Sequence, residues 1–288
     1  MFSFLLDSFL DALIDSAKML PFLYLIYLLM EYLERKAGHR FPAMLGKAAA
    51  VGPLAGGVIG AFPQCGLAAA SSGLYAGRVI TMGTLIAVFL SSSDEMLPIM
   101  ISRAEPFLRI VKIVGSKILI GIVSGYLVDL VIRKRPSADE SSREKAEDEF
   151  ADEAEHEGNI FICALRHVIE IFVYVFFFSF AMNAVISQIG EDTIAGLFNS
   201  VPVVGELISA LIGLVPNCAS SVVITELFLD GIIGPGPMFA GLLVNSGVGL
   251  MVLFRTDARP SDKARVLIIL YVLAVAWGCL IGFSNIVF

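Results

Sequence analysis

Long apolar runs alternate with short polar clusters along this chain, and the order of long and short runs occurs twice. The first run covers about residues 9–33 and ends at EYLERKAGHR. Two short runs, about 48–62 and 67–77, flank PQCG, and longer runs follow at about 79–101 and 110–132. After a polar stretch the order recurs: a long run near 160–186, short runs 202–215 and 220–229 flanking PNCA, then long runs near 238–254 and 266–283. Most of the long runs approach or exceed the roughly 20 apolar residues that cross a bilayer core as a helix. At about 1.5 Å per residue each short run reaches only about 15–22 Å, against a core of about 30 Å. The pattern therefore predicts an all-α polytopic membrane protein.

The recurrence extends to individual residues. Residues 51–65 read VGPLAGGVIGAFPQC and residues 204–218 read VGELISALIGLVPNC. Pro63 pairs with Pro216 and Cys65 with Cys218, both at an offset of 153 (216 − 63 and 218 − 65). The register holds through Leu74/Leu227, Ile80/Ile233, Gly83/Gly236, Ala87/Ala240 and Leu90/Leu243 to Gly125/Gly278. Three parts follow: transmembrane repeat 1 over 1–135, a linker over 136–158, and transmembrane repeat 2 over 159–288. The paired short runs are read as a re-entrant helical hairpin in each repeat, with tips at 63–66 and 216–219. Counting hairpin arms gives about ten spans.

Charge selects this arrangement over broken single spans. With hairpins, each repeat has three full crossings, so the repeats are inverted, and fifteen of the twenty basic residues share one face. Lys18, Arg103, Arg109, Lys112 and Lys117 are left over. The excess of Lys and Arg on cytoplasmic loops places that face, and the linker, inside, with both termini outside the cell's inner (plasma) membrane.

Composition agrees. The chain is 57% hydrophobic and 16% charged, where soluble domains carry about 25% charged residues. Its net charge of −7 is concentrated in 136–158, which holds ten acidic and two basic residues; the remainder is near +1. That linker reads as a solvated connector. No cleavable signal peptide is expected, because Asp7, Asp11 and Asp15 interrupt the N-terminal run. Four dispersed cysteines make no disulfide framework.

The interruptions carry the chemistry. Proline removes a backbone donor, and unpaired amides in hydrocarbon are tolerated only when buried in protein or lining a wet cavity. Each tip offers a carboxamide (Gln64, Asn217), a thiol (Cys65, Cys218) and the start of the next helix arm, so the tips are candidate substrate-binding positions. The structural alternative is that Pro-x-Cys only permits close packing. The run after each hairpin supplies a second constellation: Ser92, Asp94 and Glu95 in SSSDE, and Asn245 and Ser246 in NSG, with Ser92 aligned to Asn245. An ionisable group inside such a run costs roughly 2.5 kcal/mol or more, so Asp94 is read as binding substrate or metal and Glu95 as coupling. Asp94 could instead pair with Lys112 or Lys117. On one continuous helix the two acids point about 100° apart. Glu226 is a candidate gate or proton carrier, or an interfacial residue. Arg166 and Glu170 read as an i,i+4 ion pair, and His167 as isolated.

At these residues the chain resembles a bacterial family of heavy-metal exporters with about ten spans, catalogued as arsenic efflux proteins and as manganese transporters. The resemblance runs through PQCGLAAASSGLYAGRVITMGTLIAVFLSSSDEMLPIM and PNCASSVVITELFLDGIIGPGPMFAGLLVNSGVGLMVLFR. It implies a transporter, with efflux as the direction.

The expected function is a secondary-active transporter exporting a divalent metal or metalloid by alternating access, coupled to protons. Cys65, Cys218, Asp94 and Asn245 are the metal-ligand candidates. Thiolates would suit arsenite, but the usual third thiolate is lacking unless Cys279 reaches the centre; the oxygen donors suit manganese. The alternative is a carrier of an organic or sulfur-containing anion held at the hairpin tips. No phosphate-binding loop, HExxH or GxSxG signature points to an enzyme. Expected partners are lipid, a small ion or molecule and, plausibly, a second copy of the chain; no cofactor beyond a transported metal and no nucleic acid is expected.

Overall fold

The computed structural model describes residues 52–62, 65–93, 96–132, 203–215, 218–256 and 258–284, with single helical positions at 24, 25, 28, 161, 162, 165, 169 and 173. Side chains at 65, 66, 218, 219 and 248 are excepted. The acidic linker, the Asp7–Asp11–Asp15 stripe, Arg166, His167, Glu170, Gln64, Asn217, Asp94 and Glu95 lie outside the described residues. The single helical positions fall within the runs predicted at 9–33 and 160–186.

Ten helices occupy the rest: α1 (Pro53–Gly60), α2 (Cys65–Ala76), α3 (Met82–Ser91), α4 (Met96–Ser102), α5 (Phe107–Ile132), α6 (Val204–Gly213), α7 (Cys218–Leu229), α8 (Pro235–Val244), α9 (Val248–Arg255) and α10 (Pro260–Ser284). The second five repeat the first five in order and nearly in length. Helices α1, α3 and α5 pack as one set, and α6, α8 and α10 as its counterpart. The remaining helices cross over: α2 packs on α9 and α7 on α4, each from the other half.

Shared glycines set the closest crossings. Gly83 of α3 lies against the Gly125 carbonyl of α5, and Gly236 of α8 against the Gly278 carbonyl of α10. A side chain at any of the four would run into the facing backbone, and small residues at such crossings let membrane helices approach. The same contacts give direction. Helix α5 runs antiparallel to α3, since Gly121 lies beside Ala87 and Gly125 beside Gly83. Helix α1 runs parallel to α3, since Gly56 meets Thr84 and Gly60 meets Val88 and Ser91.

The turns after α2 and α7 repeat as well. Arg78 and Gly231, again 153 apart, both take positive φ (59° and 76°). Each lets the next amide reach back, Val79 N to Leu74 O and Ile232 N to Leu227 O, both within hydrogen-bond distance (2.8 and 2.9 Å). This is the left-handed helix cap, natural for Gly231 and strained for Arg78.

The runs at 79–101 and 238–254 differ from the expected single helices. Residues 82–102, 235–255 and 260–284 are long and apolar enough to cross a membrane. In the first two, however, the helix stops inside the run: α3 ends at Ser91 before α4 begins at Met96, and α8 ends at Val244 before α9 begins at Val248. The causes differ between the halves. Pro98 falls in the first turn of α4, where proline is accommodated, whereas a helix running through from α3 would clash there with the carbonyl four residues back. In the second half Gly247 takes φ 52°, a conformation open mainly to glycine. The 100° separation expected for Asp94 and Glu95 concerns residues outside those described.

The outer faces are apolar in matching places. Leu54 and Val58 on α1 and their counterparts Leu207 and Leu211 on α6 are all exposed, as are Leu119, Leu130 and Val131 on α5 and Ile268, Val272 and Leu280 on α10. The segments of α3–α4 and α8–α9 are instead 88% and 82% buried, against 28% for α10, so the two broken runs form the centre of the molecule.

Candidate functional site

The two breaks meet. Ser92, Ser93, Met96 and Lys117 from the first half and Ser221, Leu242 and Asn245 from the second line one small cavity, with room for roughly one water-sized particle. Of the predicted residues, Ser92 and Asn245 therefore come together, and Ser246 lies beside them, 2% exposed. Cys65 and Cys218 are the first residues of α2 and α7.

Asn245 holds its break by both ends of its amide. Its Oδ1 accepts from Gly247 N at 2.8 Å, and its Nδ2 donates to Ser220 Oγ at 3.0 Å. Ser220 Oγ lies 3.2 Å from Val215 O, so the α8–α9 break is tied to the start of α7 and the end of α6. Ser246 Oγ is buried and has no hydrogen-bond partner among the described residues. An unpartnered buried hydroxyl is costly unless something else uses it.

Lys117 is the residue that the sequence reading left out of the site. It sits mid-way along α5 and is 1% exposed. Its Nζ donates to Ser92 O and to Leu242 O, the latter at 3.2 Å. Both carbonyls belong to interrupted ends, the cap of α3 and the last turn of α8, which carry partial negative charge. The missed signal was a lysine in the middle of a bilayer-length run, where an ionisable residue reads as functional by default.

Glu226 does not join this centre. It lies two turns along α7, 2% exposed, in an ion pair with Arg103 at the end of α4; Asp230 stands 3.6 Å from the same guanidinium. Arg109, paired with Glu105 at 2.7 Å, stacks over Phe228 of α7 at 4.8 Å. One end of the second half is thereby clamped by two arginines of the first. At the start of α3 a second acid is engaged: Asp129 of α5 accepts from Thr81 Oγ1 at 2.7 Å and Gly83 N at 2.8 Å. Glu206 of α6 lies against Gly236 at the corresponding start of α8. Among the described residues, no three His, Cys, Asp or Glu side chains cluster as a metal site.

A model of the family described as "Putative, 10TM heavy-metal exporter" matches residues 1–189, more than half of the chain. The chain belongs to that family. It is a multi-pass membrane protein of an exporter family, embedded in lipid and handling a small substrate. The matched stretch contains α1–α5, with Ser92 and Lys117, while α6–α10 lie beyond it. No curated protein and no solved structure matches the chain.

Proposed function

We propose that this exporter-family protein is a secondary-active transporter that moves a divalent metal cation out of the cell, with manganese as the chemical type, by alternating access coupled to protons. The observation that carries the reading is a small cavity at which helix breaks from both halves converge, lined in part by Ser92, Ser93, Ser221 and Asn245. These are hard oxygen donors, suited to manganese rather than to a soft metal. The cavity's size suits an ion better than an organic molecule. Cys65 and Cys218, at the starts of α2 and α7, supply sulfur for a softer metal. Asp94 and Glu95, which follow Ser93 in the sequence, would bring the anionic charge a cation needs.

Inverted repeats with re-entrant hairpins remain part of this reading, and the contacts support them. Lys117 bonds carbonyls at both breaks, which therefore lie at one level. Ser72, seven residues past the start of α2, donates to Gly249 O just beyond the second break. Arg103, at the far end of α4, reaches Glu226 well past the start of α7. Each pairing suits a second half that runs opposite to the first. Ser124 and Trp277, 153 apart, bond to each other at 2.9 Å, as equivalent residues do on a two-fold axis. The linker is placed in the cytoplasm and both termini outside. Of the five basic residues that this sidedness leaves on the outer face or in the membrane, Arg103 and Arg109 are paired with acids and Lys117 is buried. Rocking of one repeat against the other about the cavity would expose it alternately, with Glu226 and Arg103 as a gate on one side.

Proteoliposomes loaded with a metal-sensitive dye test the reading. Wild type is expected to move Mn²⁺; Asp94→Asn is expected to abolish that movement, and Cys65→Ser and Cys218→Ser to abolish movement of a soft metal such as Cd²⁺. Full transport in all three variants would remove these residues from the site. The second reading, an organic or sulfur-containing anion, is favoured by the Lys117 ammonium; uptake of labelled anions without Mn²⁺ movement would select it.

A further inference from the structure

Lys117 donates to Ser92 O and Leu242 O, the carbonyls that the two breaks release. Those oxygens, with the hydroxyls and amide of Ser93, Ser221 and Asn245 around the same cavity, are what an entering cation would use. The ammonium therefore stands where the cargo should stand. Its counterpart at the 153 offset is Leu270, fully buried and apolar, so the duplicated centre carries this cation in one half only. The side chain is on α5, an unbroken helix packed along α3, and reaches across to α8.

We propose that Lys117 is a specificity-determining residue: a tethered cation that occupies the carbonyl site at the two helix breaks and must be displaced by the transported metal ion. The inference rests on the cation reading above and deepens it. A site held by a fixed positive charge admits a cation only when the cation's gain at those oxygens exceeds that of the ammonium, so weakly binding monovalent ions are rejected and a divalent ion is favoured. Displacing Lys117 frees Ser92 O and Leu242 O from their shared donor on α5, so that the cargo takes over the tie between the two breaks.

The test is metal binding to the full chain in detergent, titrating Mn²⁺ and Cd²⁺ against wild type, Lys117→Gln, Lys117→Met and Lys117→Arg, with Mn²⁺ transport of wild type measured alongside. Met keeps the volume and suits burial, as Leu270 does at the counterpart position, so it carries the test if Gln fails to fold. Removing the charge is expected to tighten metal binding at least tenfold, to admit Na⁺ or K⁺ as competitors, and to leave Lys117→Arg no tighter than wild type. Unchanged or weaker metal binding in the neutral variants, with wild-type Mn²⁺ transport intact, would overturn this inference and leave the transporter reading standing. Anion binding to wild type that disappears in Lys117→Gln, without Mn²⁺ transport, would overturn both.

Discussion

The two breaks at the centre of this protein share a position and differ in how they are made and what they hold. In the first half, Pro98 prevents a helix from continuing out of α3, and the freed carbonyl of Ser92 takes the ammonium of Lys117. In the second half, Gly247 turns the chain with a positive φ, and Asn245 satisfies the opening locally through Gly247 N and Ser220 Oγ. One half thus contributes a side-chain charge and the other a polar frame. Duplication supplied the scaffold of the centre, and divergence at a few positions supplied its polarity, because a backbone break needs only some residue that cannot continue the helix, whereas its electrostatics depend on which side chain fills it.

The ends of the molecule repeat the lesson. Arg103 at the end of α4 pairs with Glu226, while the side chain of its counterpart Thr256 at the end of α9 donates to Leu253 O in its own turn, at 2.7 Å. Gly73 stands where the second half has Glu226. A charged pair thus ties α4 to α7, and the matching positions Thr256 and Gly73 carry no charge.

The largest effect is expected where the halves are alike. Gly125→Leu and Gly278→Leu each drive a side chain into the facing helix backbone, and each is expected to cost at least about 3 kcal/mol, seen as loss of monodisperse protein in detergent. A large loss for one and none for the other would break the claim that both crossings have one design. An intermediate effect is expected where the halves differ. Arg103→Ala leaves the Glu226 carboxylate buried without its guanidinium and is expected to cost about 2–3 kcal/mol, against about 0.5–1 kcal/mol for Thr256→Ala. Equal shifts in melting temperature would mean that the clamp is not one-sided. The smallest effect on stability is expected at Ser246. Its hydroxyl has no partner among the described residues, so Ser246→Ala should change stability by less than about 1 kcal/mol while slowing Mn²⁺ transport. A clearly destabilised variant would show that the hydroxyl holds the fold rather than awaiting cargo.

Legibility tracked how local each cause was. The helix arms were readable to within a few residues, since proline and glycine stop helices wherever they stand: the arms expected at 67–77 and 220–229 are α2 (Cys65–Ala76) and α7 (Cys218–Leu229). Ser92 and Asn245 were readable as equivalent positions from their 153 offset; that they line one cavity was not. The breaks in the following runs were missed, although Pro98 and Gly247 marked them, because hydropathy averages over a run and does not register a single backbone stop. Lys117 was missed for a different reason. Its acceptors are backbone carbonyls 25 residues before it and 125 after it, and no side-chain pattern announces a carbonyl that has lost its helical donor.

By itself the sequence determined that this chain is helical, lies in a membrane and is built from one unit written twice, because burial in lipid, helix termination and internal likeness are properties of short stretches and of their spacing. Only the tertiary structure decided that the Lys117 ammonium holds Ser92 O and Leu242 O together, that Glu226 pairs with Arg103, and that α2 packs on α9 and α7 on α4 across the two halves. Those outcomes depend on which groups meet across more than a hundred residues, where geometry selects among many chemically acceptable pairs.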